Sequence, residues 1–116
     1  MKIISIKNKT SNKEIGSKII HADNMVLRFF GLMGKKKLDN GEGLLLTPCN
    51  SIHMMFMRFA IDVIFIDKDN KIIHTIENLK PWRMTKVCFK SQSTLELPLG
   101  TIADSGSKPE DILEII

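Results

Sequence analysis

The sequence predicts a mainly β single domain, a sandwich or a barrel, with one short helix near residues 24–30. Three observations predict it. Apolar and β-branched residues come in short runs, each of strand length. Turn-forming residues separate those runs, notably Asn40-Gly41, Pro48, the stretch Lys68-Asp69-Asn70-Lys71, and Pro81. The runs follow one another directly and do not alternate with helical segments, which argues against βα units.

The elements follow in order. Residues 2–7 alternate, with Ile4 and Ile6 set against Lys2, Ser5 and Lys7, and read as a first strand. Residues 9–14 are polar and read as a turn. Ile15, Ile19 and Ile20 mark a second strand over 15–21. Asp23 and Asn24 offer side-chain oxygens to the free N–H groups of a first helical turn, and Gly31 suits the left-handed position after a helix end. Residues 32–42 read as loop. Gly43-Leu44-Leu45-Leu46 reads as a strand that Pro48 ends. Residues 51–57 and 61–67 are short apolar strand candidates. Residues 68–71 form a hairpin turn, and 71–78 is its return strand. Residues 86–90, 93–98 and 111–116 are three further strand candidates.

At 116 residues the chain supports one domain, 1–116. Its 43% apolar and 26% charged residues are ordinary for a globular protein. No apolar run is long enough for a membrane span, and the start lacks the apolar core of an export signal. Two cysteines cannot make a disulfide framework, so the expected location is the cytoplasm. The +4 charge is uneven. Residues 1–58 hold ten Lys/Arg against four Asp/Glu, and residues 59–116 hold seven against nine. The run Lys35-Lys36-Lys37 carries no interleaved aromatic, and the chain has no tyrosine. That disfavours nucleic acid as a partner and suits a solvated basic surface.

The chemistry concentrates in residues 48–67. An extended 49–57 puts Cys49, Ser51, His53, Met55 and Met57 on one face. Asp62 lies in an apolar stretch and needs a partner if buried. Arg58, four residues earlier, is the nearest candidate and offers a bidentate fork. The pair reads either as scaffold or as a binding site for an acidic ligand. His53 reads either as a core histidine or as a ligand or base, since its pKa lies near neutrality. Cys49 beside it allows an activated thiolate. Cys49, His53, Met55 and Met57 together allow a soft-metal site. Phosphate loops, dinucleotide fingerprints, zinc spacings and serine elbows are all missing, so no cofactor is expected.

An ordered set of motifs then carries a resemblance. It runs Arg28-Phe29-Phe30-Gly31-Leu32-Met33, then Gly43-Leu44-Leu45-Leu46, then Cys49-Asn50-Ser51-Ile52-His53. Met57-Arg58 and Ile61-Asp62-Val63-Ile64-Phe65-Ile66-Asp67 come next, and Leu95-Glu96-Leu97-Pro98 with Gly100 closes it. Over about residues 22–115 the chain resembles the domain of unknown function family number 192, small β domains of bacteria and archaea. The resemblance implies a compact β domain in which Arg28, Gly31, Leu32, Met33 and Glu96 are structural motif residues. It implies no activity, substrate or cofactor.

The function expected is a small non-catalytic binding or accessory module. Its cleft would lie near His53, Arg58 and Asp62, with Cys49 as a further candidate, and would hold a small ligand or a protein partner. The alternatives are an enzyme using Cys49 and His53, or soft-metal binding. The oligomeric state is open.

Overall fold

The computed structural model describes residues 2–24, 36–54 and 57–116. Seven strands form one sheet: β1 (Lys2–Asn8), β2 (Lys13–Ala22), β3 (Glu42–Leu46), β4 (Ile61–Ile66), β5 (Ile72–Leu79), β6 (Ser93–Leu97) and β7 (Leu113–Ile115). A short helix, α1 (Thr101–Ser105), lies between β6 and β7. The sheet order is β5-β4-β6-β3-β2-β1-β7. All neighbours are antiparallel except β2 and β3. A parallel pair needs a long connection, and residues 23–41 supply it.

Local chemistry sets the turns. In the β4–β5 hairpin, Asp67 Oδ1 accepts the N–H groups of Asp69 (2.9 Å) and Lys71 (3.0 Å). Asn70 there takes a φ of 62°, a conformation asparagine tolerates well. On β3, a Cβ built on Gly43 would stand 2.8 Å from the Glu96 carbonyl oxygen, so only glycine lets β3 and β6 approach this closely.

The sheet curls until its edges meet at one end. Register irregularities in β1–β2 and β4–β5 help to bend it. Ile72 N donates to Asp111 O, Glu110 N to Ile72 O and Leu113 N to Asn70 O, each at 2.8 Å. The result is a curled half-barrel, the mainly β architecture the sequence predicts.

The curl creates two cores. The inner one takes a residue from every strand and one from α1, among them Ile6, Ile19, Leu45, Ile64, Ile72, Leu95, Ile102 and Leu113. Each such isoleucine or leucine contributes roughly 2 kcal/mol by leaving water. The outer one covers the other face of β3, β4 and β5 with residues from 49–59, including Ile52, Met54 and Met57. Both faces of β4 and β6 are therefore buried, and every residue of those strands is inside.

Several expectations change. The helix expected over 24–30 falls, apart from Asn24, outside the described residues, as do Arg28, Gly31, Leu32 and Met33. Helix α1 is not among the elements expected from the sequence. Its N-cap is Gly100, which has no side chain to cap with, so the usual sequence signal is missing. The described part of the strand candidate over 51–57, and the candidate over 86–90, lie outside the strands. Among the described residues the first keeps a β-bridge from His53 to Met84 and the second keeps none; both pack on the outer core and stand outside the sheet's ladder.

Candidate functional site

The outer layer is built by two irregular segments that run antiparallel. Residues 49–54 and 82–92 are tied by Cys49 N to Gln92 O (3.0 Å), Cys88 N to Asn50 O (2.8 Å), Thr85 N to Ile52 O (3.0 Å) and Met54 N to Arg83 O (2.7 Å). The Thr85 hydroxyl also accepts Ile52 N at 2.9 Å. This ladder seats Ile52, Met54, Cys49 and Cys88 against the outer core.

The four candidate residues do not converge on one cleft. Cys49 is half-buried and its thiol donates to the Ser51 carbonyl oxygen at 3.1 Å. Its own carbonyl accepts the hydroxyls of Ser91 and Thr94, both at 3.1 Å. With Pro48, Asn50 and Ser91 it lines an open cavity of about 270 Å³. His53 is half-buried in the ladder beside Met84. Arg58 is exposed.

Asp62 is buried, but its partner is not Arg58. Its Oδ1 accepts Asn78 N (3.1 Å), and its Oδ2 accepts Gly100 N (3.1 Å) and Ile102 N (3.0 Å). The cause is strand alternation. Ile61 and Val63 face the outer core and Ile64 the inner one, so Asp62 points inward, where it caps α1 from a neighbouring strand. The expected Arg58–Asp62 pair is thus replaced by three backbone donors. The soft-metal set finds no support either. Met57 is packed in the outer core and Met55 lies outside the described residues. Among the described residues no three His, Cys, Asp or Glu side chains gather as a metal would require.

Glu96, a motif residue in the sequence, is a buried acid. It sits between Leu44 on β3 and Val63 on β4, on the outer-core face, and is 6% exposed. Among the described residues its side chain makes no hydrogen bond or ion pair. Burial pushes its carboxyl up from the usual 4.5 to about 7. The signal in sequence is an acid between Leu95 and Leu97. Such an acid ordinarily faces water, and nothing local announces the layer that covers it.

The outer edge of the ladder has the opposite problem. Trp82, Met84, Val87 and Phe89 are 60%, 73%, 48% and 89% exposed. Met84 and Val87 also line a half-open cavity of about 260 Å³, with Phe65, His74, Ile76 and Cys88 as its floor and wall. Lys80, Arg83, Lys86 and Lys90 are exposed among them, and no ion pair engages any of the four among the described residues. The sequence does carry a signal here. Between Glu77 and Glu96 there are four cations and no acid, with an aromatic near each end of the cationic stretch.

Comparison with known proteins fits this architecture to a lineage. The model of domain of unknown function family 192, described as an uncharacterized ACR, matches residues 5–115. An uncharacterised-family (UPF0127) protein of Pyrococcus furiosus is 34% identical over 112 residues, which covers 92% of this chain and 94% of that one. A UPF0127 protein of Thermococcus kodakarensis is 35% identical over 101 residues, or 84% of this chain and 64% of the relative. A crystal structure of a protein of unknown function from Novosphingobium aromaticivorans superposes with a TM-score of 0.82 at 21% identity, covering 97% of this chain and 83% of that one. A crystal structure titled as a putative transcription regulator from Sinorhizobium meliloti gives 0.83 at 22% identity, covering 96% of this chain and 90% of that one. At those identities the structures speak for the fold alone. The names of the two curated relatives state no function. The family match and the relatives together show that the chain belongs to the domain of unknown function family 192.

Proposed function

We propose that the chain is a small non-catalytic binding module that docks a partner through the loop from Lys80 to Lys90. The observation that carries this reading is the run of exposed apolar side chains Trp82, Met84, Val87 and Phe89 on one loop. Single exposed apolar residues are ordinary, but four of them on one loop of a small domain mark an interaction surface. The backbone behind the loop is tied to 49–54 and the outer core, so the side chains are presented on a fixed base. The Cys49 thiol supports a non-catalytic reading, since it is spent on the Ser51 carbonyl and not set against a base.

Retention of the folded protein on a phenyl-substituted matrix tests the proposal. The wild type should be retained. A Trp82→Ser/Phe89→Ser double variant should elute early with an unchanged melting temperature. Equal retention of the two would remove the loop from consideration as the docking surface.

A further inference from the structure

The loop's chemistry narrows the partner. We infer that the 80–90 loop docks on an anionic phospholipid surface, a step that rests on the docking reading above. Two features point there together. Trp82, Met84, Val87 and Phe89 are all exposed apolar side chains. Lys80, Arg83, Lys86 and Lys90 are interleaved with them, and none forms an ion pair among the described residues. No acidic residue lies between Glu77 and Glu96 to offset those charges.

A bilayer interface satisfies both features at once. Indole rings settle at headgroup depth, and phenylalanine, methionine and valine side chains enter the acyl boundary. Lysine and arginine stems lie along apolar surface while their heads reach lipid phosphates. Single-stranded nucleic acid would use the cations and the two aromatic rings, but Met84 and Val87 offer a base nothing to stack on. A protein partner would cover the apolar residues, yet it would have to supply an anionic frame for four cations. The anionic lipid surface supplies that frame as a continuous field. No described helix is long and apolar enough to cross a membrane, so the contact proposed is peripheral.

Trp82 is the only tryptophan in the chain and reports directly on the loop. The experiment is a titration of the full chain with two kinds of vesicle at low ionic strength. One is phosphatidylcholine alone, and the other is phosphatidylcholine with phosphatidylglycerol in equal parts. Trp82 emission and co-sedimentation are read together. Binding to the anionic vesicles should be at least about tenfold tighter, since each cation near the surface is worth about a fivefold factor. Emission should shift to the blue, and brominated acyl chains should quench it. Replacing Lys80, Arg83, Lys86 and Lys90 with Gln should abolish the preference for anionic lipid. Phe89→Ser should weaken binding without changing that preference.

Failure of the wild type to bind anionic vesicles would overturn the inference. If the phenyl matrix still retains the protein in that case, docking stands and the partner is a protein. If the matrix does not, both readings fall. Binding without an emission shift or bromolipid quenching would also overturn it, because the loop would then not enter the interface. So would binding to a single-stranded oligonucleotide with no binding to vesicles.

Discussion

Asp62 and Glu96 occupy neighbouring strands and are both almost wholly buried, at 1% and 6% exposure. Asp62 faces the inner core and takes three backbone N–H groups. Glu96 faces the outer core, and no partner meets it among the described residues. The same pair of strands therefore carries a satisfied carboxylate on one face and an unsatisfied acid on the other. The inner face gathers every strand and α1 around one apolar centre. The outer face holds the strained acid, the irregular ladder and the exposed apolar loop. The buried acid without a partner and the exposed loop thus share the outer face.

The comparison can be broken most directly at Asp62. Asp62→Ala strands three N–H donors, two of them at the start of α1, and should lower stability by about 3 kcal/mol or more. Urea unfolding measures it. A loss below about 1 kcal/mol would mean that water replaces the carboxylate.

Glu96 should behave in the opposite sense. Its carboxyl titrates near 4.5 in the unfolded chain and near 7 in the folded one. The folded protein thus holds a proton that the unfolded chain releases between those values. Stability is fully present below about pH 4.5, falls as pH rises, and levels off above about pH 7. The drop should be about 3 kcal/mol. Glu96→Gln should remove most of that slope, so that the variant is more stable than wild type at about pH 8 and similar to it at about pH 4. Urea midpoints across that range decide it. A wild type with flat stability would show that the acid finds a partner when it ionises.

A smaller effect is expected inside the closure between β1 and the chain end. Asn8 Nδ2 donates to Ser107 Oγ and to Asp111 Oδ2, both at 3.0 Å. Burial pushes the Asp111 carboxyl up, but hydrogen bonds from Asn8 and from Lys108 outweigh it and hold the carboxyl below its usual range. Asn8→Ala should cost about 1–2 kcal/mol and raise the Asp111 pKa, which carbon-detected NMR can follow. Phe89→Ser stands at the other end of the scale. It should change stability by less than about 0.5 kcal/mol, because Phe89 is already in water. A large loss on thermal melting would mean that the ring packs on the fold.

The strands were largely legible because their signals are local. Ile4 and Ile6 alternate with polar residues, and Asp67 to Lys71 carries the chemistry of its own turn. The expected buried state of Asp62 was also legible, since an acid in Ile-Asp-Val-Ile must be accommodated. Its partner was not, because Gly100 and Ile102 arrive from 38 and 40 residues away. Alternation cannot show that both faces of a strand are covered, so Glu96 read as a motif residue and not as a buried acid. Residues 86–90 alternate like a strand but end up across the sheet, where Phe89 meets water. The difference lies in tertiary placement, which short-range patterns do not encode.

On the proposed reading the outer loop, not the inner core, meets the partner. Amide hydrogen exchange with and without anionic vesicles tests it most directly. Added protection is expected within residues 80–92 and 49–54, with β1, β2 and β7 unchanged. Protection confined to the sheet edge at β7, or no change in the loop, would contradict it.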